Sequence, residues 1–431
     1  MSQENSNITS LRSRRYLIYL LFMMVLVQIL DTYTQFYLTA IPSEIKKSFL
    51  ADLSKNTADS VFAIAVAVAS IGTYIAFFVW YLADRVGRRP LLIVTVIGLS
   101  VGSLGIYFSN NIVDFTIFYL VIWVFGASDL WLMFVNEEAP PDKKGFWTNI
   151  VLVGGMIGAM LIPIFRAIYV TDTSPVGSWK GMALFPVFLG IPLCLIIIIT
   201  VKETSKYEEI KKSKQLEKQY SLIENVKRIF SSKYRIALIA IFVMYFLRGL
   251  NNFTRQLGEI VLSETFEFTA GEVAILIVVM NLATVLGYLV AGKLSDIFGR
   301  KTVLYILTII YNIGSLLFIW VLFIPTEHNL AFILIIISSS LTNIAFWAFW
   351  TFLSIIVIEM TPTDARGTAS GFKLLIGAIA NTLGLILTAI VALYFGLAIA
   401  FVIFGTLFVL YYPIIRKYII ETKDIDLSEI K

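Results

Sequence analysis

The chain has 431 residues, of which 58% are apolar and only 15% charged, with a mean hydropathy of +0.84. That balance excludes an ordinary soluble domain. The formal charge of +5 comes from basic residues in loops between apolar runs, so it reflects membrane topology and not nucleic-acid binding.

Apolar runs of about 20 residues, the length that crosses ~30 Å of hydrocarbon, recur along the chain. They predict spans at 16–40, 59–83, 91–109, 114–135, 147–169, 181–201, 234–257, 271–292, 302–324, 329–358, 368–391 and 394–415. The first is too long for a signal-peptide core and lacks a small-residue cleavage site, so it is expected to stay as a span. The predicted fold class is an all-α polytopic membrane protein, with twelve transmembrane helices in two pseudo-symmetric six-helix bundles, 16–201 and 234–415. A charged linker, 202–233, would join them, with short tails at 1–15 and 416–431. Even parity puts both termini on one side. Arg12, Arg14, Arg15, Arg85, Arg88, Arg89, Lys143, Lys144 and the basic linker fall on that side, while the other keeps only Lys46, Lys47, Lys55, Arg166 and Lys180. Positive-inside bias therefore predicts a multi-pass cell-membrane protein with both termini in the cytoplasm.

Cys194 is the sole cysteine, which excludes an intramolecular disulfide and a cysteine-based metal cluster. His328 is the sole histidine and reads as a solvated residue of the short loop before the tenth span. Any proton chemistry must use carboxylates. With no nucleotide loop, metal cluster or nucleophile triad visible, neither enzyme activity nor a bound cofactor or metal is expected.

Three motifs repeat in register. Asp84, Arg85, Val86, Gly87, Arg88 and Arg89 return as Asp296, Ile297, Phe298, Gly299, Arg300 and Lys301 at an offset of 212. Glu137, Pro140, Lys144 and Gly145 return as Glu359, Pro362, Arg366 and Gly367, and Glu203 with Thr204 returns as Glu421 with Thr422. Two similar halves follow from this repetition. Gly87 and Gly299 are expected to allow tight turns, and the arginines to pair with carboxylates at neighbouring helix ends.

Over its whole length the chain resembles the major facilitator superfamily, whose signature loop Gly-x-x-x-Asp-Arg-x-Gly-Arg-Arg/Lys matches both hairpins; Trp80 replaces the leading glycine of the first copy. The resemblance implies a cytoplasmic gate: Asp84 would face the start of the eleventh helix and Asp296 that of the fifth, with Glu137 or Glu138, and Glu359, as partners of the arginines. The Glu-Thr strings are similar to those of sugar porters and organic-ion carriers. Gly249, Leu250 and Asn251 match a sugar-porter motif in the seventh helix, although Tyr245 and Phe246 stand where that motif has two glutamines. Asp31, Thr32, Tyr33 and Thr34 resemble the Asp-Gly-Tyr-Asp of metabolite symporters without its second acid.

Polar stripes mark the expected pathway between the halves. Gln28, Asp31, Gln35 and Thr39 share one helical face over roughly 16 Å, and Arg248, Asn251, Arg255 and Glu259 repeat that spacing at an offset of 220. Asp31 and Arg248 both fall well inside the apolar layer, where an ionised group costs ~2.5–3.5 kcal/mol unless it finds water or a partner. Asp31 is the first proton-carrier candidate, with a structural pairing to Arg248 as the alternative; Asp129 is the second. Arg255 and Glu259 could pair as an outer gate. Asn343, Trp347, Trp350 and Ser354 form an aromatic and polar face suited to a ring-shaped solute, with Asn281 and Asn381 adding hydrogen bonds. Gly154 and Gly158 read as close helix packing.

These residues predict a monomeric secondary transporter that moves a small polar metabolite, a sugar or an organic acid, together with a proton by alternating access. A facilitative uniporter, a proton-coupled exporter and a transporter-like sensor remain alternatives. The expected partners are the solute, a proton and the lipid bilayer, with no nucleic acid.

Overall fold

The computed structural model describes residues 12–75, 86–126, 130–140, 144–205, 207, 208, 227, 230, 231, 234–361 and 366–421. Among them the regular structure is helical: α1 Arg14–Phe36, α2 Pro42–Phe49, α3 Lys55–Ser70, α4 Arg88–Phe108, α5 Ile112–Gly126, α6 Leu130–Glu138, α7 Lys144–Tyr169, α8 Leu184–Thr200, α9 Arg235–Asn251, α10 Phe253–Glu264, α11 Ala270–Phe298, α12 Arg300–Phe323, α13 His328–Met360, α14 Arg366–Phe395, α15 Leu397–Gly405 and α16 Tyr411–Tyr418. They supply twelve segments long and apolar enough to span a membrane, each overlapping one predicted run. Ile18, Val113, Phe188 and Ile199 stay exposed, as side chains facing hydrocarbon should. The chain is a polytopic all-α membrane protein.

Packing divides the chain into two compact units: one of residues 1–40, 68–170 and 174–219, the other of 41–67, 171–173 and 220–431. Equivalent pairs recur in each. In the first unit α1 packs along α7 and α4 along α5; in the second α9 packs along α14 and α12 along α13. Small residues permit the close approaches. A methyl group on Gly158 of α7 would lie 2.6 Å from the Ile29 carbonyl oxygen of α1, and one on Gly249 of α9 would lie 2.7 Å from the Gly377 carbonyl oxygen of α14. The larger core of the second unit gathers Met244, Phe346, Phe349, Phe352 and Tyr411 from α9, α13 and α16.

Three expectations need correction. The seventh span is not one continuous helix: it tightens at Asn252, whose N–H bonds the Gly249 carbonyl, and restarts as α10. The Asn251 amide beside it is committed at both ends, accepting from the Tyr311 hydroxyl at 2.7 Å and donating to the Phe404 carbonyl at 2.8 Å. Thr39 lies in a 3₁₀ turn beyond the end of α1, with its hydroxyl on the Phe36 carbonyl. His328 is the first residue of α13, not a loop residue, and its Nε2 lies 2.9 Å from the Glu272 carboxylate.

Candidate functional site

In the first unit Gln28 and Asp31 of the α1 stripe are buried and Gln35 is half-buried. Gln35 Nε2 donates to Asp31 Oδ2 at 2.7 Å and to the Gly126 carbonyl at 2.5 Å. Gly126 is needed there, since a methyl group on it would lie 2.7 Å from Gln35 Cγ. Gln28 bonds Thr32 one turn along, and its Oε1 is buried without a hydrogen-bond partner. Asp31 is therefore a buried carboxylate that accepts a hydrogen bond from a neutral amide.

In the second unit two arginines converge on one ring. The Arg248 guanidinium lies 3.9 Å from the Phe346 centroid and 5.7 Å from that of Trp347, and its Nε donates to the Phe346 carbonyl. The Arg255 guanidinium lies 4.8 Å from the same Phe346 ring, and its Nε is buried without a hydrogen-bond partner. The ring's negative face holds both cations. The rest of the stripe is engaged elsewhere: Asn251 is spent on packing, and Glu259 accepts from Ser43 and Ser263 rather than pairing with Arg255.

Around them, Asn381 Oδ1 accepts from Asn252 and Gln256, two residues four apart that lie one position on from the predicted stripe and were not singled out. Asn343 donates to the Ser339 carbonyl of its own helix. Trp347 and Trp350 meet edge to face at 6.4 Å. Tyr245 hydrogen-bonds the Trp350 carbonyl and the Ser354 hydroxyl, which also accepts from Lys373 at 2.7 Å. Asn281 is partly buried in α11.

Each unit builds the same cap. Glu203 accepts from the main-chain N–H groups of Arg88 and Arg89 at the start of α4, and Glu421 from those of Arg300 and Lys301 at the start of α12. A helix N-terminus favours negative charge there. Gly87 and Gly299 precede these starts at φ of 107° and 86°, and a Cβ on either would collide with the capping carboxylate. Arg88 pairs with Glu137 at 3.0 Å and Arg300 with Glu359 at 3.4 Å. Glu138 pairs with Arg12 at 3.9 Å. Lys301 and Arg89 donate to the carbonyls of Arg416 and Ile198. The capping role of Glu203 and Glu421 was missed; its signal was their repetition at a constant offset. Asp84, Arg85 and Asp129 lie outside the described residues, as do the side chains of Asp296 and Arg366.

The profile of the family described as "Sugar (and other) transporter" matches residues 19–431. The chain belongs to this transporter family. It is thereby a member of the major facilitator superfamily, and a membrane transporter by descent. The transporter is 25% identical over 342 residues to a candidate niacin/nicotinamide transporter of Bacillus subtilis, covering 76% of this chain and 78% of that one. It is also 25% identical over 401 residues to a gentisate transporter of Corynebacterium glutamicum, covering 88% and 82%. In fold it matches a D-xylose–proton symporter with a TM-score of 0.76 at 18% identity, over 95% of this chain and 99% of that one.

Proposed function

We propose that the transporter is a proton symporter for a small organic acid, with an aromatic or similarly flat body, working by alternating access of the bundles 16–201 and 234–415 with both termini in the cytoplasm. The observation that carries the reading is the Arg255 guanidinium, held on the Phe346 ring beside Arg248 with its Nε buried and unbonded. A cation inside a span costs ~2.5–3.5 kcal/mol unless it reaches water or a partner. A carboxylate can take two parallel hydrogen bonds from a guanidinium, while Trp347 and Trp350 offer ring faces for the rest of the solute. Relatives named for gentisate and for niacin/nicotinamide support a small aromatic solute, and gentisate and niacin are carboxylates. Asp31 would carry the proton, steadied by Gln35. Charges such as Arg88–Glu137 and Arg300–Glu359 would rearrange as the cytoplasmic side opens.

The test is uptake into proteoliposomes under an imposed proton gradient, with a panel of aromatic carboxylates, aliphatic acids and sugars. Gradient-driven accumulation of an aromatic carboxylate, abolished by Arg255→Gln, is expected. Uptake that ignores the gradient, or survives Arg255→Gln unchanged, defeats the proposal.

A further inference from the structure

At the face away from the termini, residues 41–67 belong to the second packing unit and are fastened to α10 by charge. Ser43 of α2 gives Glu259 two hydrogen bonds, from its N–H at 2.8 Å and its hydroxyl at 2.7 Å. Lys46, one turn on, reaches Glu264 Oε1 at 2.7 Å and also bridges to Asp59 Oδ1 on α3.

The charges in this cluster do not balance. Asp59 is 1% exposed, and its second oxygen, Oδ2, is buried without a hydrogen-bond partner. One ammonium thus serves two carboxylates. The groups facing Asp59 are Lys46 from α2, Glu264 from α10 and Lys55 at the start of its own helix; Lys55 is exposed, donates to the Glu264 main-chain carbonyl at 3.2 Å, and has its charge screened by water, so Lys46 alone makes ion pairs here. Glu259 is met by hydroxyl and amide donors from Ser43 and Ser263 and contributes no positive charge. A buried carboxylate with a share of a lysine is stable only while that lysine stays; without it the bare charge is strongly unfavourable.

We propose that Lys46, Asp59 and Glu264 form a second proton-binding site, set in a latch at the outer face: the ammonium bridges both acids when the latch is closed, and a proton from the outer solution takes its place on Asp59 when the latch opens. Lys46 and Glu264 then part as charged groups in the outer water. The cluster passes from a net charge of minus one to neutral, so opening consumes one proton. Acid therefore favours the open latch, because the open state binds the extra proton. The proposal rests on the membrane orientation given above, and not on the cargo or on Asp31.

A substrate-free readout tests it. In a Cys194→Ser background, the alkylation rate of Ser43→Cys, buried at the latch, is divided by that of Asp52→Cys, exposed in the neighbouring loop, from outer pH 8 down to 5. The ratio should rise on acidification with a slope of up to about tenfold per pH unit, the limit for one proton. Asp59→Asn should react fast at every pH, since an amide mimics the protonated acid. A flat ratio in the parent, or an undiminished pH response in Asp59→Asn, overturns the proposal. Should Asp59→Asn not reach the membrane, Glu264→Gln decides: with one acid per ammonium the response should flatten, and an unaltered profile overturns it. Loss of proton-driven uptake in Asp31→Asn, with this pH response intact, separates the outer site from the symport reading.

Discussion

Gln35 reaches back one turn to Asp31, with Nε2 2.7 Å from Oδ2, and the same nitrogen anchors on the Gly126 carbonyl. One amide therefore couples the buried acid of α1 to the end of α5. Asp31→Asn is expected to abolish proton-driven accumulation while leaving exchange of labelled for unlabelled solute. Gln35→Leu should retain accumulation but shift its pH profile, because the acid persists without its donor. Both are read in proteoliposomes with and without a gradient, and an unaltered pH profile in Gln35→Leu would assign that amide to packing alone.

Arg255 and lysine are not equivalent on a ring face. Arg255→Lys keeps the charge but loses the planar fork and much of the stacking on Phe346. A carboxylate solute should bind it more weakly, by about ten- to a hundredfold, corresponding to a lost charge-assisted bond of roughly 1.5–3 kcal/mol. Calorimetric titration or ligand-induced thermal shift checks this, and equal affinity for the lysine variant would remove the two-point clamp.

Gly158 can be tested by crowding. Gly158→Ala drives a methyl group to 2.6 Å from the Ile29 carbonyl oxygen, a backbone atom that cannot step aside. Overpacking of this kind costs about 1–3 kcal/mol. Cys194 is buried and is the sole cysteine, so a thiol-reactive dye reports unfolding directly. The midpoint should fall by several degrees, and a midpoint within error of the parent refutes the close contact.

The caps at Gly87 and Gly299 differ from ordinary turns. With ψ near 160° at both, the backbone lies in a region that is essentially glycine's own, costing about 1–3 kcal/mol for other residues. Gly299→Ala adds a collision with Glu421, so it should lower the unfolding midpoint more than Glu421→Gln, which loses only the charge at the N-terminus of α12. The reverse order would show that the turn tolerates a side chain.

Much of the architecture was legible in the residues. Length and hydropathy located the spans, the repeated hairpin announced two halves, and Gly154 and Gly158 announced close packing, because each of these is a property of the local chain and of the solvent it must meet. The site was less legible. The 3, 4, 4 spacing assumed an unbroken seventh helix, yet Asn251 is claimed by Tyr311, 60 residues away, and Phe404, 153 residues away, and the chain tightens there. Arg255 still shares a face with Arg248, as the spacing predicts, but the ring that receives both is Phe346 of another helix, and Glu259 turns to Ser43.

The sequence by itself determined a twelve-span, internally repeated membrane protein with Asp31 in an apolar helix and glycines at its two turns. Only tertiary structure decided that Glu203 and Glu421 cap helices, that two arginines share one ring, and that Lys46 bridges Asp59 and Glu264. Spans are dictated by the cost of exposing or burying a segment's own groups. The partner of a buried charge is dictated by whichever distant residue packing brings within reach, and periodicity carries no record of that choice.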